Sequence, residues 1–316
     1  MKRRDFLKLG IAAGSAVVFG LGGVEARSVR LPKRKLGRTG EELSILGMGG
    51  IVLCGNDQHA ADRIVGHAFD RGVNYFDVAP SYGNGEAEKR LGPALKPYRS
   101  RAFLACKTTK RDKVGAAEEL RSSLKRLQTD HVDLYQMHGL TSVDEVRTAL
   151  GPGGAIEAFN EAKKQGLVRF LGFSCHSVEA AVAAMDGFSF DTILFPVNYV
   201  CYLKGDFGPQ VIEKARSRGM GILALKAMAR TAWPADSKRD YPKCWYQPLS
   251  DPSVVDLALR FTLSEPVTSA LPPGDERLFE LALSVAERFK PLTQGERKEL
   301  EAAAASLQPI FHYPSA

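Results

Sequence analysis

Eight short apolar runs, most of them followed by a helix-patterned segment of ten or more residues, predict an α/β fold: a (β/α)8 TIM barrel preceded by a β-hairpin and followed by an extra helix. Three observations carry this reading. The alternation of strand and helix patterns runs without interruption from Arg34 to Phe289. Such barrels take about 250 residues as a single unit, which this stretch supplies. No Gly-x-Gly-x-x-Gly opens a helix inside a βαβ unit, which counts against an open dinucleotide-binding sheet.

Residues 1–26 are set apart as a targeting segment. Lys2-Arg3-Arg4-Asp5-Phe6-Leu7-Lys8 precedes an apolar, Gly/Ala-rich run from Leu9 to Val24, and Val24-Glu25-Ala26 has the small residues of a cleavage site. The paired arginines before Phe6-Leu7 resemble a twin-arginine export signal. A transmembrane helix is the alternative, but a bilayer takes about 20 predominantly apolar residues and this glycine-rich run falls short of that. The expectation is an exported, periplasmic or extracytoplasmic protein with no stable membrane insertion once the signal is removed, and a single domain over 27–316.

The elements follow in order. Lys35 to Ser44 reads as the hairpin, with its turn at Thr39-Gly40. Ile45–Ile51 is strand one, with a helix from Ala60 to Arg71. Asn74–Val78 is strand two, before a helix over Glu86–Leu95. Strand three is Ala102–Lys107, and its helix Val114–Leu127 shows apolar spacing at Leu120, Leu124 and Leu127. Val132–Met137 leads into a longer helical region ending at Lys164-Gln165, where Gly166 is a natural C-terminal cap. Strands five to eight are Val168–Phe173, Thr192–Val197, Gly221–Ala227 and Val267–Leu271, with helices over Val178–Met185, Pro209–Arg218, Ser253–Ser264 and Glu276–Phe289. Arg230 to Pro252, rich in proline, is long enough to fold over a site as a lid. Thr293–Leu307 forms the extra helix outside the barrel.

Composition excludes several classes of function. The chain has 316 residues, 44% hydrophobic and 25% charged, with a net charge of +7. Lys2, Arg3, Arg4 and Lys8 against Asp5 and Glu25 leave +2 on the targeting segment and +5 on the rest. No basic run with interleaved aromatics is present, so nucleic acid is not the partner; a mildly basic surface suits an anionic dinucleotide. The five cysteines, Cys54, Cys106, Cys175, Cys201 and Cys244, contain no C-x-x-C pair. Free thiols are expected, one disulfide being the alternative in an oxidising compartment, and no metal-ligand spacing is seen.

Four polar residues carry the chemistry: Asp77 and Tyr82 in Asn74-Tyr75-Phe76-Asp77-Val78-Ala79-Pro80-Ser81-Tyr82-Gly83, Lys107 in Phe103-Leu104-Ala105-Cys106-Lys107, and His138 after Asp133-Leu134-Tyr135-Gln136-Met137. Each stands at or just beyond the C-terminal end of an apolar run, where a parallel barrel places catalytic groups. A tyrosine hydroxyl with a pKa of about 10 is a poor acid at neutral pH, and a nearby ammonium lowers that value. Lys107 supplies the ammonium, Asp77 pairs with it, and His138 orients a carbonyl oxygen. Together they suit reduction of a C=O group.

The Asp-x-x-x-x-Tyr-Gly spacing, the strand-end lysine and the Asp-Leu-Tyr-x-x-His motif make the chain resemble the aldo-keto reductase family from about Arg34 to about Phe289, with Asp77, Tyr82, Lys107 and His138 as its catalytic tetrad. The resemblance implies that the hairpin plugs the N-terminal end of the barrel. It also implies an NADP(H) cofactor, with NAD(H) as the alternative, and a small carbonyl substrate. Its implied cofactor contacts are Gly50 near the end of strand one, Ser174 and Cys175 in the strand-five motif, Asn198 in place of the usual strand-six glutamine, Lys226 toward the pyrophosphate, and Gly274 and Arg277 in the loop after strand eight. Cys175 replaces the usual asparagine, and Leu225-Lys226-Ala227-Met228 replaces the stacking tyrosine. Ile51, Phe207, Trp233, Tyr241, Trp245 and Tyr246 are candidates for an apolar substrate pocket. The function implied is reduction of an aldehyde or ketone by hydride from NAD(P)H with Tyr82 as proton donor. The departures in the cofactor motifs, and the scarcity of NADPH outside the cytoplasm, leave a cofactor-bound redox sensor or partner protein as the alternative.

Overall fold

The computed structural model describes residues 31–314, so the targeting segment read at 1–26 lies outside the described residues. The hairpin is built from β1 (Lys33–Lys35) and β2 (Glu42–Ser44), antiparallel with Lys33 opposite Ser44. Its turn is closed by the Leu36 amide donating to Glu41 O at 2.8 Å and by Thr39 Oγ1 donating to Leu36 O at 2.7 Å. Gly37 takes φ +51° there, and a Cβ would lie 2.3 Å from Gly221 N and 2.5 Å from Gly219 O. Only glycine lets the turn seat against the barrel. Leu36 and Leu43 are fully buried with Tyr75, Phe103, Leu134 and Leu223, filling the N-terminal end of the barrel as expected.

The barrel strands are β3 (Met48–Gly49), β4 (Tyr75–Asp77), β5 (Phe103–Thr108), β6 (Val132–Leu140), β7 (Val168–Cys175), β8 (Thr192–Pro196) and β9 (Gly221–Leu225). A second hairpin then intervenes, β10 (Ala229–Ala232) with β11 (Tyr246–Pro248), before the last barrel strand, β12 (Ser269–Leu271). The eight barrel strands are parallel and adjacent in chain order. The seam closes through Leu46 and Ala270, with Gly47 N donating to Ala270 O and Ala270 N to Ile45 O, both at 2.9 Å.

Several boundaries differ from the sequence reading. Strand one pairs with β4 only over Met48–Gly49, because the chain turns at Gly50 into a 3-10 helix, Gly50–Leu53. Strand four runs on to Leu140, its register shifting between Met137 and Leu140 where Gly139 takes φ +63°. The long helix expected after it is two helices, Val143–Leu150 and Ala155–Lys164, separated by Gly151-Pro152-Gly153-Gly154. The lid expected at Arg230–Pro252 carries the β10–β11 hairpin. The last helix, Gln294–Ala305, starts with a capping box between Thr293 and Glu296. Beyond it the tail returns across the catalytic face: Thr231 Oγ1 donates to Gln308 O at 2.9 Å and Tyr313 N to Gly205 O at 2.7 Å. All five cysteines are free thiols. No helix among the described residues is long and apolar enough to cross a membrane.

Candidate active site

Side chains at every second position of a strand face the same way, and this period builds the site. On β4 the inward positions are Tyr75 and Asp77; on β5 Phe103, Ala105 and Lys107; on β6 Leu134, Gln136 and His138. The earlier members of each series lie in the apolar cluster above the hairpin. The later ones are polar, and Asp77, Lys107 and His138 meet Tyr82 around one cavity of about 230 Å³ at the C-terminal end of the barrel. The four residues singled out in the sequence are therefore brought together.

Lys107 and Asp77 are each 1% exposed and form a direct ion pair. Asp77 also accepts from Gln136 Nε2 at 3.0 Å and Tyr75 Oη at 3.1 Å, so both carboxylate oxygens are engaged. Lys107 Nζ lies 3.4 Å from Tyr82 Oη and 3.3 Å from Val78 O. Burial works against the ammonium, but Asp77 and Tyr82 outweigh it and raise the Lys107 pKa. Burial also raises the Tyr82 hydroxyl, and the opposing attraction of Lys107 does not cancel it. This corrects the expectation that Lys107 brings Tyr82 below its ordinary value: burial of the phenolate among protein atoms is the larger effect, and Tyr82 keeps its proton at neutral pH.

His138 packs edge-on to Tyr82, ring centroids 5.7 Å apart, with Ser81 Oγ 3.4 Å from its Nδ1. Arg111 Nη2 donates to the His138 carbonyl at 2.7 Å and fixes the bulged backbone. Burial first, then the positive field of Lys107 and its neighbours, lowers the His138 pKa to about 3, so the imidazole is neutral. The site thus presents a protonated phenol and a neutral imidazole around one buried, balanced ion pair.

The other candidates divide. Ser174, Lys226 and Gly274 line the cavity, as do Ile51, Trp245 and Tyr246. Ser174 Oγ accepts from Gly139 N at 2.7 Å, leaving its own proton available. A Cβ at Gly274 would lie 2.2 Å from Ile51 Cγ2, so any larger residue at this turn would have to displace the Ile51 side chain. Gly50 begins the 3-10 helix, and its neighbour Gly49 is the cavity residue. Cys175 is buried, its thiol donating to Ser177 O at 3.1 Å. Asn198 is spent as a helix cap, Oδ1 accepting from Cys201 N at 3.0 Å and Nδ2 donating to Cys201 Sγ at 3.4 Å. Arg277 is held by Asp275 at 3.0 Å and lies over Tyr241. Phe207 stacks between Phe195 and Phe311, and Trp233 Nε1 donates to Cys244 O at 2.8 Å, pinning the lid.

Three side chains not singled out complete the site. Tyr75 and Gln136 orient Asp77, and Gln136 Oε1 is buried without a partner. Strand alternation from Asp77 and His138 was the signal for both. His176 lines the cavity, its ring stacked on Phe311 at 5.3 Å and its Nε2 buried without a partner. Its position is set by the C-terminal tail, which no local motif announces.

A family model described as Aldo/keto reductase family matches residues 45–292. The chain is 26% identical over 298 residues to the uncharacterized oxidoreductase YqkF of Bacillus subtilis (strain 168), a match covering 85% of this chain and 95% of that protein. An aldo-keto reductase from Bacillus halodurans, solved in its holo form, superposes with a TM-score of 0.70 at 24% identity, covering 90% of this chain and 99% of that one. One from Klebsiella pneumoniae, solved in complex with NADPH, does so with a TM-score of 0.69 at 18% identity, covering 90% and 99%. At these identities the two solved structures speak for the barrel fold.

Proposed function

The chain belongs to the aldo/keto reductase family, and from that premise we propose that it reduces an aldehyde or ketone to an alcohol with hydride from NADPH, Tyr82 donating the proton. The observation that carries this is the convergence of Tyr82, the Lys107–Asp77 pair and neutral His138 on one cavity. NADP(H) is the dinucleotide found in the Klebsiella relative. The cavity fits the nicotinamide end of such a cofactor. Leu194 and Leu225 offer apolar walls, Ser174 a free hydroxyl proton for the carboxamide, and the glycine turn at Gly274 a close backbone approach.

When bound, the reduced nicotinamide supplies the hydride. The chain's own groups handle the oxygen. His138 uses the ring nitrogen not facing Ser81 to hydrogen-bond the carbonyl oxygen and point its carbon into the cavity. As charge develops on that oxygen, the proton on Tyr82 Oη moves to it, and the electron pair of the broken O–H bond remains on the phenolate. Lys107, 3.4 Å away, stabilises that phenolate, and Asp77, anchored by Gln136 and Tyr75, keeps the ammonium in place. The raised pKa of Tyr82 keeps the proton on the donor until it is needed.

We place the enzyme outside the cytoplasm on the twin-arginine reading of residues 1–26, carried across folded with its cofactor. The test is carbonyl-dependent oxidation of NADPH and NADH by residues 27–316, with Tyr82→Phe alongside. Turnover falls about 10²- to 10⁴-fold in the mutant while NADPH still binds. Equal turnover in mutant and parent, or tight NADPH binding with no turnover by either, overturns the reductase reading.

A further inference from the structure

We propose that Lys226 and His176 form an anion subsite within the catalytic cavity, and that the substrate is a carbonyl compound that also carries a carboxylate. This deepens the reductase reading and rests on it. Lys226 stands at the C-terminal end of β9 with φ +69°, a left-handed backbone that a lysine rarely adopts. The conformation turns its side chain into the cavity shared by Tyr82, Lys107 and His138. Its Nζ lies over the faces of Tyr246, 4.9 Å, and Trp245, 5.3 Å. Among the described residues it has no carboxylate partner.

The two ring faces attract the ammonium but place no formal negative charge beside it. Lys107 is balanced by Asp77, so Lys226 leaves the cavity with a surplus positive charge. Beside it His176 offers an Nε2 that is buried and unpartnered, on a neutral ring. The Lys226 ammonium and the His176 ring, in the tautomer that carries its proton on Nε2, match the two oxygens of a carboxylate; Lys243, the other cation in the lining besides Lys107, is already spent on Val52 O at 3.0 Å. Lys226 lines the same cavity as Tyr82, Lys107, His138 and His176, which places its charge at the reacting centre. The carboxylate takes no part in the hydride step; it fixes the carbonyl against Tyr82 and His138.

The experiment compares 4-carboxybenzaldehyde with 4-carbamoylbenzaldehyde, and 4-oxobutanoate with 4-oxobutanamide, in the parent, Lys226→Met and Lys226→Arg proteins. Binding of benzoate and benzamide is followed separately by fluorescence of Trp245, one of two tryptophans in the chain, and NADPH affinity is titrated directly. The expected result is a kcat/KM at least tenfold higher for each acid than for its amide, a ratio that collapses in Lys226→Met and survives in Lys226→Arg. Saturable benzoate binding that Lys226→Met abolishes is expected as well. Lys226→Met keeps the stem and removes a charge that has no carboxylate partner among the described residues, and its urea midpoint, measured alongside, should match the parent's. A ratio near one in the parent protein overturns the proposal. So does a tenfold loss of NADPH affinity in Lys226→Met with the ratio unchanged, which would hand Lys226 to the dinucleotide. Should no aldehyde turn over, the reductase reading fails alone, and Lys226-dependent benzoate binding would still support the subsite.

Discussion

Replacing Asp77 by Asn tests how the buried pair is held. The change keeps an acceptor for Tyr75 and Gln136 but removes the charge opposite Lys107, a side chain only 1% exposed. Losing one partner of such a pair costs about 3 to 5 kcal/mol. An upper limit follows independently from the reference pKa of lysine. Lys107 can escape by releasing its proton, which at pH 7 means titrating a group whose unfolded pKa is about 10.4, close to 5 kcal/mol at about 1.36 kcal/mol per unit. The sign with pH follows. In the mutant the unfolded chain binds a proton that the folded chain does not, so its stability rises with pH, by about 1.4 kcal/mol per unit, up to the unfolded value. Urea unfolding at pH 7 and pH 9 reads both quantities, and adding Lys107→Met should restore most of the loss at pH 7. A penalty below 1 kcal/mol, or one that does not shrink by pH 9, would refute the account of Lys107 as a charged, Asp77-dependent group.

Other outcomes follow from the same geometry. Because His138 is neutral down to about pH 3, kcat/KM for a neutral aldehyde shows no imidazole limb between pH 5 and 8; an acid limb near 6.5 that His138→Gln removes would contradict this. Burial first, with Lys107 adding and Cys244 opposing, lowers Lys226 to about 8. Its ammonium is present below that pH, so the preference for an acid over its amide is full at pH 6.5 and fades as pH rises through 8. Gly37→Ala drives a Cβ into the Gly219–Gly221 backbone and should cost about 2 to 4 kcal/mol, whereas Gly40→Ala, also left-handed but with nothing within 4 Å, should cost only about 1 to 2. Equal urea midpoints for the two would refute the seating of the hairpin.

What the sequence made legible were the features written in local pattern. Each barrel strand announced itself as an apolar run, and the tetrad could be found because its members stand at or just beyond the ends of such runs. Boundaries blurred where one glycine decides the path, as at Gly50, which starts a 3-10 turn, and Gly139, which bulges β6. The break between Val143–Leu150 and Ala155–Lys164 is signalled by Gly151-Pro152-Gly153-Gly154, a cue outweighed by the helix-forming residues on either side. Asn198 stands just before Tyr199–Leu203, a helix too short to show periodicity, so its capping role was masked. The direction of the Tyr82 pKa shift was not legible, since it depends on how completely the barrel excludes water. His176 and Lys226 acquire their meaning from the lid and the tail, segments far along the chain that arrive only on folding.

The leucine-filled floor beneath the catalytic layer has a kinetic corollary. With Leu36 and Leu43 wedged into that end, traffic to the reacting atoms passes through the lid side, where Trp245 stands half in solvent. Anything that reaches Tyr82 from solvent must come past the β10–β11 hairpin, so substitutions around Trp245 alter access to the cavity while substitutions in the leucine floor alter only its support.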